Sequence, residues 1–189
     1  MKYPKYAFIH DKQYQLNTDY HVALECLQII EDESIGDSER TYAIIYKLFG
    51  MIPEDQDMHE FIRIASHYLG CGEQQEVQKQ RKRDMDFQQD WKYIVASFMS
   101  DYHIDIQESH MHWYQFIHFI QGFTEESMMS RIRELRNYDL SDIKDQKVKR
   151  KVMEAQKGVE LSTKLSSEDQ KAVDEFESLF YLGGDCFGK

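Results

Sequence analysis

The chain has 189 residues, 41% of them hydrophobic, and a formal net charge of -11 from 23 basic and 34 acidic side chains. That length can bury one core, as a single domain or a domain with an appendage. The acidic balance favours solubility and excludes a surface built throughout for nucleic acid or anionic lipid.

No apolar run approaches the roughly 18 residues of a membrane span, and "MKYPKYAFIH" lacks a signal-peptide core, so a cytoplasmic protein is expected. Cys26, Cys71 and Cys186 are far apart and free of CxxC spacing, which suits a reducing compartment. With 2 prolines and 9 glycines the chain has few breakers. The expected fold is all-α: a compact domain of about six core helices, then a charged linker and a C-terminal amphipathic helix.

Residues 1–17 form an N-terminal arm, in which "YAFIH" and "YQL" read as a short hairpin or an extended segment. The core domain spans 18–136. Its first helix runs to about 32, with Tyr20, Ala23, Leu24, Leu27 and Ile30 at helical spacing behind an Asp19 cap. A second covers about 38–49, with Tyr42, Ile45, Leu48 and Phe49 on one face and Gly50 where a left-handed residue is wanted. A third follows Pro53 over about 54–69, presenting Met58, Phe61, Ile62, Ala65 and Leu69 before Gly70 stops it. "CGEQQEVQKQRKRD" then breaks the pattern as a polar loop or helix extension.

"DFQQDWKYIVASFMSDY" makes a fourth helix through Phe87, Trp91, Ile94, Val95, Phe98 and Tyr102. "SHMHWYQFIHFIQGF", residues 109–123, is read as a fifth, apolar nearly all round and hence central, with Trp113, Phe116, Ile117 and Ile120 in one stripe. Thr124 is the expected cap of a sixth helix, with Met128, Ile132 and Leu135 inward and Arg131 and Arg133 outward. Residues 137–189 form a charged helical extension. It closes with an amphipathic helix whose stripe is Ala172, Val173, Phe176, Leu179 and Phe180, after Ser167 and Gln170 in capping-box positions.

Little here speaks for catalysis. His110 and His112, if helical, diverge by about 200°, and neither HExxH nor a Cys/His cluster occurs, so no metal site and no cofactor are expected. The carboxylate pairs Asp86–Asp90 and Asp101–Asp105 would need a pocket that drives their pKa values apart. At a helix start, Asp86 and Asp90 have the simpler reading of favourable charge at the positive end. Phosphate-cradling glycine loops and nucleophile elbows are absent, so no enzyme is expected. "KQRKR" (79–83) and "KVKRK" (147–151) can contact phosphates, but neither is interleaved with aromatics for stacking.

"DMDFQQDWKYIVASFMSDYHIDI", "MHWYQFIHFIQGF" and "SRIRELR" resemble the tailed-phage family known by its gene-product number fifteen. Asp90, Tyr102, Ile104-Asp105, His112-Trp113 and Ile132-Arg133 carry the likeness, which extends more loosely over about 19–151. Tyr114 stands where that family often has a second tryptophan. The resemblance implies a cytoplasmic tail-assembly chaperone that holds the tape measure protein before the tail tube polymerises. The major tail protein and a second copy of the chain are further implied partners. Met128 and Met129 in the sixth helix, and Val173, Phe176, Leu179 and Phe180 in the last, are the candidate contacts, because exposed methionines and apolar stripes suit helix-in-groove binding. The alternatives are a structural tail or connector component retained in the virion and, behind it, a nucleic-acid-binding regulator.

Overall fold

A computed structural model of the chain describes residues 2–72, 83–141 and 143–162. Within them lie two strands, β1 (Tyr6–Ile9) and β2 (Lys12–Gln15), and seven helices: α1 (Tyr20–Glu31), α2 (Asp37–Phe49), α3 (Met58–Leu69), α4 (Trp91–Tyr102), α5 (Trp113–Gln121), α6 (Met128–Asn137) and α7 (Gln146–Gly158). The expected helical architecture is the observed one. The hairpin alternative at the N-terminus is also realised: β1 and β2 pair antiparallel with Ile9 opposite Lys12. His10 and Asp11, at φ 47° and 62°, supply the two left-handed residues that a two-residue hairpin turn requires. Strand alternation sends Ala7 and Ile9 into the helical core and leaves Tyr6 and Phe8 exposed.

The core is assembled around Phe116. Its ring lies nearly parallel to Tyr20 at 4.5 Å and to Phe98 at 5.4 Å, with Trp113 at 5.8 Å. Tyr20, Phe98 and Phe116 are fully buried and come from α1, α4 and α5, so one aromatic column ties three helices. The Tyr20 hydroxyl donates to the Ile106 carbonyl. The Trp113 indole N–H donates to Leu69 O at 3.1 Å.

Two helix starts fix this column. The Tyr20 N–H donates to Met111 O at 3.0 Å and the Trp113 N–H to Thr18 O at 2.8 Å, so α1 and α5 begin side by side as an antiparallel bridge between Asp19 and His112. Asp19 caps α1 by accepting the His21 N–H. His112 caps α5: its Nδ1 accepts the Tyr114 N–H at 3.0 Å while Nε2 lies 2.8 Å from Pro4 O. That pairing requires the neutral tautomer with the proton on Nε2.

Several boundaries differ from the sequence reading, each for a local reason. α3 starts at Met58 and α4 at Trp91, because residues 55–57 and 87–90 are turns. His110 and His112 precede α5 rather than riding on it. Ser127, not Thr124, caps α6 by accepting the Ser130 N–H. Thr124 gives both its N–H and its hydroxyl to Asp101. The inward stripe of α6 begins at Met129 rather than Met128: Met129 and Ile132 are buried and Met128 is exposed. Ile30, Tyr42 and Ile62, expected inward, are also exposed. Gly50 has the left-handed φ of 69°, whereas after α3 that conformation falls on Cys71 and Gly72 rather than Gly70.

Trp113→Ala is expected to cost about 3–5 kcal/mol by urea denaturation, since it empties a buried indole site and strands the Leu69 carbonyl. The His112 cap makes stability depend on pH. Burial, opposed by the Pro4 carbonyl, holds its pKa below the ordinary 6.5. A depressed histidine pKa means the unfolded chain takes the proton first, so this stability is present above about 6.5 and falls as pH drops below it. The melting temperature is expected to decline from pH 7 to pH 5. Asn at this position, which caps without titrating in that range, should flatten the decline.

Candidate functional site

The most polar part of the interior lies where the segment before α4 meets the end of α6. Asp90 and Asp86 are buried. The Arg136 guanidinium grips Asp90 through two hydrogen bonds of 2.7 Å, one to each carboxylate oxygen. It also donates to Asp84 O at 2.9 Å and to Val159 O at 2.6 Å. Asp90 Oδ2 additionally accepts the Asp86 N–H at 2.9 Å. The pair's side chains are 8% and 1% exposed, so this is a buried, bidentate ion pair with most of its donors placed. Arg136 follows Ile132 by four residues and so shares its inward face. An arginine on an apolar face was the signal available in the sequence.

Around this pair the surface is concave. A groove of about 470 Å3 lies between α1 and the start of α4, with Leu24, Leu27, Phe87 and Trp91 as its apolar lining. It shares Glu31, Arg83 and Asp86 with a second cavity of about 920 Å3, where Leu140, Met153 and Leu161 stand with Arg136. Arg83 joins the two by pairing with Glu31 and Asp86, both at 2.8 Å. An apolar trough bordered by charge, on a helical scaffold, is the form that receives one face of an amphipathic helix.

The candidate contacts separate. Met128 is exposed at the start of α6 and Met129 is wholly buried. The Met129 N–H donates to Ser97 Oγ at 2.8 Å, which joins α6 to α4. Met99 of α4 is exposed to the same degree as Met128. Val173, Phe176, Leu179 and Phe180 lie outside the described residues. Of the basic clusters, Arg83 is engaged at the groove, and Lys147, Lys149, Arg150 and Lys151 ride on α7, a helix with no buried residue. The end of α7 is nonetheless held by polar bonds: Gln156 donates to Leu135 O and Tyr138 O, and Gln89 exchanges two bonds with Ser162.

The carboxylates singled out in the sequence are occupied by the fold's own donors. Asp86 accepts the N–H groups of Gln88 and Gln89. Asp105 accepts the Gln107 N–H. Burial opposes ionisation of Asp101, but hydrogen bonds from Thr124 and Ser100 outweigh it and hold the carboxyl below its ordinary range. Asp90 stands at the start of α4 as expected, in the N-cap position, but its side chain makes no cap bond there and turns to Arg136. Burial pushes the Cys26 thiol up to about 12, far from a reactive thiolate.

A family model described as Bacteriophage Gp15 protein matches residues 4–161. No curated protein and no solved structure matches the chain. The matched span takes in the hairpin, all seven described helices and the Arg136–Val159 bond.

Removing one partner of a buried ion pair leaves the other charge uncompensated. Arg136→Met is therefore expected to cost about 3–5 kcal/mol in urea denaturation. Asp90→Leu combined with Arg136→Met should cost clearly less than the sum of the two single changes.

Proposed function

The chain belongs to the Bacteriophage Gp15 protein family, which makes it a phage structural or assembly protein, and from that premise we propose that it is a tail-assembly chaperone. In this reading it works without catalysis in the host cytoplasm. It holds the tape measure protein until the tail tube polymerises around it. The observation that supports a helix-holding role is the apolar groove of Leu24, Leu27, Phe87 and Trp91, continuous through Arg83 with the larger cavity. A long amphipathic helix offers a continuous apolar stripe along one face, with apolar residues in every turn, and a trough bordered by charge can cover a length of it. The exposed methionines Met99 and Met128, on the paired helices α4 and α6, add an adaptable apolar surface.

The reading is tested by co-expressing the full chain with the neighbouring tape measure gene and measuring soluble capture. Leu27→Lys places a charge in the groove at a half-buried position and is expected to weaken capture about tenfold or more, as loss of an interface anchor does. Deletion of residues 163–189 is expected to leave a cooperatively folded helical domain and to reduce capture or change self-association. Purified virions analysed by mass spectrometry should lack the protein. Its stoichiometric presence there would favour a retained structural component instead.

A further inference from the structure

Asp19, His21 and His110 bring three ligand atoms within 4.8 Å of one another. Asp19 Oδ1 lies 2.7 Å from His21 Nδ1 and Asp19 Oδ2 lies 2.6 Å from His110 Nδ1. We propose that this cluster is a binding site for a divalent transition-metal ion of the zinc class, bridging the start of α1 to the segment that leads into α5.

The donor set selects the ion. Two imidazoles and one carboxylate suit zinc and its neighbours, whereas magnesium and calcium take oxygen shells. The first ligand is prepositioned: Asp19 is fixed as the cap of α1 by the His21 N–H, and its remaining lone pairs face the two rings. The second sits two residues later on the first turn of α1, and the third arrives across the Asp19–His112 bridge. An ion about 2.0–2.1 Å from each atom in a tetrahedral shell needs its ligands about 3.3 Å apart, so the Asp19–histidine contacts of 2.7 and 2.6 Å have to open by roughly 0.6 Å and the widest separation, within 4.8 Å, has to close. His110, whose side chain is 81% exposed, can make that adjustment without disturbing the core. Ligation through Nδ1 requires each imidazole to carry its proton on Nε2, any proton on Nδ1 passing to solvent, and the occupied site takes a net charge of one positive unit. Asp19 and His110 also line a cleft of about 690 Å3, which leaves open coordination positions to water or to a side chain of a docked partner.

No spacing rule reaches this site, because His110 and Asp19 are 91 positions apart. The absence of local ligand patterns therefore does not bear on it.

The experiment uses the full chain without a histidine tag, stripped with chelator and titrated with zinc by calorimetry and with cobalt(II) by visible absorption. One zinc per chain at micromolar concentration, with a raised melting temperature, is expected. His110→Ala removes an exposed ligand and should keep the metal-free melting temperature while weakening binding about a hundredfold, at least the upper end of what loss of an outer-shell partner does. Asp19→Asn preserves the helix cap yet removes the ligand charge, and should weaken binding comparably. Uptake only at millimolar zinc, or a folded His110→Ala chain that binds as tightly as the original, would overturn the assignment.

Discussion

The Asp90–Arg136 pair is the constraint on which the arrangement of the second half of the chain depends. Four segments meet at one guanidinium: the turn before α4 through Asp90, the approach to that turn through Asp84, the end of α6 through Arg136 itself, and the end of α7 through Val159. Apolar packing between α4 and α6 would tolerate sliding along the helix axes. A fork of donors that must meet two carboxylate oxygens does not. Buried ion pairs are weak contributors to net stability because desolvation opposes their attraction. What this pair supplies is registry, and it does so at the wall of the larger cavity, which Arg136 lines.

The helices were legible because their burial follows a period that can be counted. Ile45 and Leu48, Phe61 and Ala65, Ile94 and Phe98, Trp113 and Phe116 all lie inward where the 3.6-residue repeat puts them. Errors arose where the deciding partner is remote. Thr124 has the chemistry of a cap but is claimed by Asp101, and Ser127 takes its place. His112 looked like a helical face residue but is itself a cap, because Pro4 and the bridge to Asp19 hold it outside the helix. Ile30, Tyr42 and Ile62 satisfy the period yet find no neighbouring element to cover them.

The site was less legible than the fold for the same reason. The groove takes residues from α1, from the segment before α4 and from α4 itself, and the cavity adds α6, α7 and the residues beyond. No contiguous stretch carries its signature. Met128 and Met129, adjacent in sequence, end on opposite sides of the protein surface, one exposed and one buried, so the pair could not act as a unit. Asp90, part of the likeness to the phage family, was visible as a residue but not as one half of a pair. α7 is the converse case: none of its side chains is fully buried, its end is tied through Gln156, and elements with so little buried surface lie at the low end of local opening energies.

The side-by-side start of α1 and α5 has a consequence during synthesis. Asp19 leaves the ribosome 91 positions ahead of His110, an interval of about 5–20 s at ~5–20 residues per second. Throughout that interval α1 can settle on α2, but the Tyr20 ring has no Phe116 to stack on and its hydroxyl has no Ile106 carbonyl. The nascent chain thus carries an aromatic edge exposed to the crowded cytosol until translation passes α5. A protein proposed to shelter the apolar helices of another chain must first wait for its own to be sheltered.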